Sequence, residues 1–197
     1  SYRLAGRLAD RQGRQTASRR AEVRPWDGTW ELAVVDGDGR RAATDRATLR
    51  DALTTMRLAE VREGVWARPD NLDPTRSPAA AEVAALWCRW WRGATPSPVP
   101  DVTSLWDTSG WAAAALTLLA ELRALQGPLD AGDRGALADG FVTSAAVLRH
   151  LQADPLLPAE LRPSDWPGDE LRADYDRYDT AYRAVLRDWF AESRTSS

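Results

Sequence analysis

One stretch constrains this chain more than any other: Arg149-His-Leu-Gln-Ala-Asp154-Pro155-Leu-Leu157-Pro158-Ala-Glu-Leu161-Arg-Pro163-Ser-Asp-Trp166-Pro167-Gly168. Four prolines and a Trp lie between two segments of helical periodicity. Each proline fixes its own φ and biases the residue before it away from the helix. Leu156, Leu157 and Leu161 are too apolar for an open loop, so this connector is expected to pack on the body and hold two helices at a set angle.

Upstream, residues 25–100 read as alternating strands and helices. Pro25-Trp26-Asp27-Gly28 is a turn cluster. A strand follows from Trp30 to Val35, with Leu32 and Val34 on one face, and the Gly37-Asp38-Gly39 turn ends it. A helix is expected from about Asp45 with Thr44 as N-cap, its apolar positions Leu49, Leu53 and Met56 at helical spacing. Two short strands, Leu58 to Val61 and Val65 to Arg68, are joined through Glu63-Gly64. Ser77-Pro78 opens an Ala-rich helix through Val83 and Leu86, and Cys88 to Gly93 forms a fourth strand. The order β-α-β-β-α-β is that of the ferredoxin-like split unit.

Residues 101–197 read as helical. Leu116, Leu119, Leu122 and Leu125 lie on a helix from about Ser109 that Gly127-Pro128 is expected to stop. Leu137, Phe141, Leu148 and Leu151 define the next helix. After Pro167 comes the longest apolar stripe of the chain: Leu171, Tyr175, Tyr178, Tyr182, Val185, Leu186 and Trp189. Asp174, Asp176, Asp179, Arg183 and Arg187 are assigned to its solvated face. The expected class is therefore α+β, a ferredoxin-like βαββαβ domain over 25–100 and a helical C-terminal domain over 101–197.

Charge and composition narrow the function classes. The chain has 26 basic residues, all Arg, and a net charge of −3, which argues against a broad DNA-binding face on the whole of it. Residues 1–24 hold seven Arg against Asp10 and Glu22, a net of +5, so the remainder carries −8. This basic segment reads as a solvated helix or linker, or as a connector beside DNA in which Arg3, Arg7, Arg11 and Arg14 touch phosphates. The start at Ser1, with Tyr2-Arg3-Leu4 as a strand tail, fits a further domain upstream. No apolar run reaches the ~20 residues of a membrane span. One Cys and one His make a disulfide framework or a zinc site unexpected, and a cytoplasmic setting is the simplest.

Candidate chemistry is sparse. His150 has no nucleophile at recognisable spacing, and Cys88, between Trp87 and Arg89, reads as a small buried hydrophobe. Ten Trp residues stand out. Most read as core or interface anchors, and some as the lining of an aromatic or acyl pocket, with nearby Arg side chains for an anionic group. The expected effector-binding set is Arg149, His150, Trp166, Trp106, Trp26, Arg89 and Arg92. No catalytic residue, metal or cofactor is assigned.

The ordered set Trp26-Asp27-Gly28-Thr29-Trp30, Gly64-Val65-Trp66-Ala67-Arg68-Pro69, Leu105-Trp106-Asp107 and the Arg149–Gly168 connector resembles the PaaX-type transcriptional regulators, repressors of phenylacetate catabolism and their relatives. The resemblance runs over about residues 1–190 and is most specific in Asp154-Pro155, Leu157-Pro158, Leu161 and Asp165-Trp166-Pro167-Gly168. It implies an N-terminal winged-helix domain upstream, with Tyr2-Arg3-Leu4 as the tail of the wing. It also implies a ferredoxin-like middle domain similar to small CRISPR-associated nucleases, and a helical C-terminal region. The implied function is a homodimeric repressor, not an enzyme, that binds operator DNA in its full-length form and responds to an aryl-acyl-CoA. Here Asp36-Gly37-Asp38-Gly39-Arg40 replaces a more apolar strand end of relatives, and residues 101–135 are idiosyncratic. Two other readings stand beside it: a dimerisation-only module, and a metal-dependent nuclease of ferredoxin-like fold built on Asp36 at the first strand's end.

Overall fold

The structure, a computed structural model, describes residues 22–36 and 42–195. Most of the basic N-terminal segment, with Arg3, Arg7, Arg11 and Arg14, lies outside the described residues, as does the Gly37-Asp38-Gly39 turn. The elements in order are β1 (Trp30–Val35), α1 (Ala43–Thr55), β2 (Ala59–Arg62), β3 (Val65–Pro69), α2 (Pro78–Ala85), β4 (Cys88–Ala94), the single turn α3 (Val102–Leu105), α4 (Thr108–Asp130), α5 (Leu137–Gln152) and α6 (Gly168–Thr195). The described residues form a mixed α/β chain, a four-stranded sheet followed by a helical C-terminal region. They divide into two compact units. One comprises the described residues of 22–108 with Pro155–Ser164, and the other comprises Ser109–Asp154 with residues 165–195.

In the sheet unit the strand order is β2-β3-β1-β4, and every neighbouring pair is antiparallel. Local chemistry starts β1 where it does. Asp27 accepts hydrogen bonds from both the backbone N–H and the hydroxyl of Thr29, closing the turn that feeds the strand. Alternation then divides the strand between two faces. Ala33 on β1, Trp66 on β3 and Cys88 on β4 pack with Leu49 and Leu53 of α1 and Ala84 of α2. Trp30 and Ala67 line the opposite face with Val102 of α3 and with Leu157, a residue of the proline-rich connector. Both sheet faces are thus covered inside one unit, the second by a segment about 90 positions downstream.

The connector packs as its apolar content demands. Leu156 and Leu157 are buried, and the buried Asn71 side chain donates to the Leu156 carbonyl at 2.9 Å. Leu156 takes φ +55°, a left-handed conformation costing a non-glycine residue ~1–2 kcal/mol. Burial of its side chain and the Asn71 bond offset that cost.

Several local expectations change. Thr44 does not cap α1: the cap position is Ala42, which makes no side-chain bond, and Thr44 lies in the first turn. Ser77 stands at the start of α2 but makes no capping hydrogen bond. Gly127-Pro128 does not stop α4, which runs on to Asp130. Pro128 sits in the last turn, and Gly127 before it has no Cβ to collide with the proline ring, so the usual bias against helix ahead of proline is relaxed.

The helical unit has its own core, with Trp111, Leu119 and Leu122 of α4, Val147 and Leu151 of α5, and Leu171, Tyr175 and Tyr178 of α6. Leu116 and Phe141, expected on the inner stripes, are exposed. On α5 the buried positions are Gly140, Thr143, Val147 and Leu151. Gly140 is required there by close approach: a Cβ at this position would lie 2.7 Å from the Tyr178 hydroxyl oxygen. Asp174 is not on a solvated face. It is buried and paired with Arg123 at 2.8 Å and with Arg177 on its own helix.

Candidate functional site

The seven residues singled out from sequence fall into two groups, one in each unit. In the helical unit the indole of Trp111 stacks on both His150 and Trp166, each at 4.4 Å between ring centroids. The helix positions explain the arrangement: Trp111 opens α4, His150 closes α5, and Trp166 precedes α6. The backbone locks it, because Trp111 Nε1 donates to the His150 carbonyl at 3.2 Å and His150 Nε2 lies 3.0 Å from the Trp111 carbonyl. A carbonyl only accepts, so Nε2 carries the ring proton. Burial lowers the His150 pKa against opposing contributions from the Trp111 bond and from Asp154, which keeps the ring neutral at pH 7. Trp166 fits because Gly168 lacks a side chain: a Cβ there would stand 2.5 Å from the indole nitrogen. Arg149 is exposed.

Below this stack lies an ion pair that sequence reasoning missed. Arg172 Nη2 donates to Asp154 at 2.7 Å, both side chains being at least nine-tenths buried, and Arg172 Nη1 donates to the Gly168 carbonyl at 3.0 Å. Asp154-Pro155 and Pro167-Gly168 were visible as a motif; that one arginine on the following helix ties both ends together required the fold.

In the sheet unit Trp26 and Trp106 are half-buried against the cluster of Trp30, Ala67 and Leu157. The Trp26 indole N–H donates to the Thr29 carbonyl at 2.6 Å. Arg89 and Arg92 lie on the edge strand β4, and each finds a carboxylate, Asp36 just past the end of β1 and Glu31 within it. Arg89 Nε donates to Asp36 at 2.8 Å, a hydrogen bond that holds the guanidinium above its ordinary pKa. Arg92 Nε donates to Glu31 Oε1 at 3.1 Å. The other Glu31 oxygen lies 2.6 Å from Arg68 Nη2. Glu31 and Arg68 are directly opposed across β1 and β3 and are 1% and 4% exposed. Neither was singled out from sequence. The available signal was a Glu at an inward-alternating position of an otherwise apolar strand, and the antiparallel register names its partner. Asp36 is engaged by Arg89. Among the described residues no group of three His, Cys, Asp or Glu side chains is placed to hold a metal ion.

Comparison with known proteins gives this geometry its context. Residues 23–86 match the family model described as the PaaX protein central Cas2-like domain, and residues 106–192 match the PaaX-like protein C-terminal domain. Among solved structures, the uncharacterized protein Rv0674 from Mycobacterium tuberculosis superposes with a TM-score of 0.68 at 39% sequence identity, over 91% of this chain and 70% of that chain. No curated protein matches. A two-domain chain of this kind is a regulator-type protein, of the sort that serves transcription regulation. It belongs to the PaaX family. No described helix is long and apolar enough to cross a membrane.

Proposed function

We propose that this chain is the effector-sensing and dimerisation region of a cytoplasmic PaaX-type repressor that controls a catabolic operon in response to an acyl-CoA-type metabolite. The observation that carries the reading is the pair of family matches, in the family's domain order, over residues 23–86 and 106–192. The strand order β2-β3-β1-β4 with antiparallel neighbours supports a ferredoxin-like split unit for the first of them. Operator binding belongs to the full-length protein, with Arg3, Arg7, Arg11 and Arg14 beside the DNA backbone. The proposed effector residues are two sets, Arg149, His150 and Trp166 in the helical unit and Trp106, Trp26, Arg89 and Arg92 in the sheet unit, each with aromatic faces and guanidinium groups of the kinds that suit an aryl group linked to an anion. A ligand acts by its differential affinity for DNA-competent and released dimers.

A homodimer finds support in the exposed apolar side chains Leu116, Phe141, Val142, Trp189 and Phe190 of the helical unit. The same observation favours the second reading, a dimerisation-only module without a small ligand. The test is an operator-binding titration of the full-length protein with a panel of aryl- and alkyl-acyl-CoAs and free CoA. Release by at least one acyl-CoA, and none by CoA, is the expected result. Unchanged operator affinity across the panel rejects acyl-CoA sensing, and a dimer by light scattering would then leave the second reading.

A further inference from the structure

We propose that Arg68 and Arg92 form a clamp, hinged on Glu31, for a small oxyanion group, a carboxylate or a phosphate. The strands place the parts. Glu31 and Arg68 face each other across β1 and β3, and Arg92 reaches Glu31 from β4 on the other side. Glu31 thereby has one oxygen on each guanidinium, 2.6 Å from Arg68 and 3.1 Å from Arg92. Two cations share this carboxylate, and the Asp70–Arg24 pair that also acts on Arg68 is itself neutral, so the group keeps a charge of +1.

The donors are not used up. Arg68 meets Glu31 through Nη2, while its Nε and Nη1 are buried and have no hydrogen-bond partner among the described residues. Buried orphan donors are rare in folded proteins, and a charged one is the most costly kind. A guanidinium presents its donors as a planar fork that matches a carboxylate or phosphate. Arg92 supplies the access: its side chain is 56% exposed and holds Glu31 by Nε, leaving its two terminal nitrogens outside that bond. An anion that enters past Arg92 takes the orphan donors of Arg68 and the outer fork of Arg92, and neutralises the cluster. This gives the proposed sensing role an anion-binding position and rests on that reading for its biological use, while the binding itself is measurable alone.

The 197-residue chain is titrated with sodium phosphate and, separately, with sodium acetate at constant ionic strength. Affinity is read by calorimetry, and the Arg68 Nε–H resonance, assigned by its loss in Arg68→Lys, reports the site. Saturable binding with a shift of that resonance is expected for at least one anion, and the better binder names the oxyanion. Arg92→Met, a change at an exposed side chain, should fold normally and weaken binding about 10-fold or more, the loss of one charge-assisted fork. No saturable binding by either anion, or equal affinity in Arg92→Met, overturns the clamp; water would then serve the Arg68 donors. Loss of anion binding in Arg92→Met with an intact operator response to acyl-CoA would separate the clamp from the sensing role, whereas anion binding without any operator response would reject sensing and keep the clamp.

Discussion

Gly140→Ala is the sharpest test of the packing between α5 and α6. In an exposed helix interior this change gains ~1 kcal/mol, because glycine loses more backbone freedom on folding. Here the new Cβ would lie 2.7 Å from the Tyr178 hydroxyl oxygen and 2.9 Å from Cε2 of Tyr182. Both rings are held in a stacked pair with centroids 5.7 Å apart, and Tyr178 is fully buried, so neither can swing clear. Overpacking of this kind costs ~1–3 kcal/mol, which meets or exceeds the helix gain, so net destabilisation of up to ~2 kcal/mol is expected. The Tyr178 hydroxyl is also buried without a hydrogen-bond partner among the described residues, and burial pushes its pKa up. Tyr178→Phe alone should therefore be neutral or stabilising, since a buried unsatisfied polar group costs ~1–3 kcal/mol. The double variant loses the shortest of the contacts and keeps those to Tyr182. Its two changes should couple by ~1 kcal/mol, beyond the ~0.3–0.5 kcal/mol scatter of independent sites. Urea denaturation of the four proteins with linear extrapolation measures the cycle. Gly140→Ala that raises stability, or a double variant that is simply additive, would refute the close approach.

Two further outcomes follow from the same structure. Leu157→Ala should cost ~2–5 kcal/mol, because its side chain is 5% exposed against Trp30, Ala67 and Val102; a loss under ~1 kcal/mol in denaturation would show that the connector does not seal the sheet. His150 has a folded pKa below its ordinary value of 6.5. The unfolded chain then takes up the proton first as pH falls, so stability is fully present above about pH 6.5 and declines from there through the lower folded value. Melting temperatures across pH 5–8 should fall more steeply in the parent than in His150→Gln, and parallel curves would contradict this.

The elements legible in the sequence were those whose ends are written in local chemistry. β1 is bracketed by the Asp27 turn, β2 and β3 meet at Glu63-Gly64, and the buried Leu pair of the connector was plain from its apolar content. What failed was any judgement needing a third partner. Asp174 resembles a solvated acid on its own helix and is buried only because Arg123 arrives from α4. Phe141 looks like a core residue and is exposed because Gly140, its neighbour, is the position that meets α6. The candidate site shows the same divide. His150 and Trp166 could be named, but the Trp111 that stacks on both could not, and the Glu31–Arg68 pair needed the strand register.

Pro155–Ser164 belongs to the sheet unit although helices of the other unit flank it on both sides in sequence. The family match that includes this segment spans 106–192, so the boundary drawn by sequence and the boundary drawn by packing disagree. For recombination this matters. A chimera that exchanges residues 106–192 between two relatives transplants the lining of the recipient's sheet along with the helices. Leu157 and the carbonyl that receives Asn71 would arrive from a foreign parent. The two matched domains therefore share one packed core at Leu157, and substitutions at Trp30, Asn71 and Leu157 are expected to be selected together.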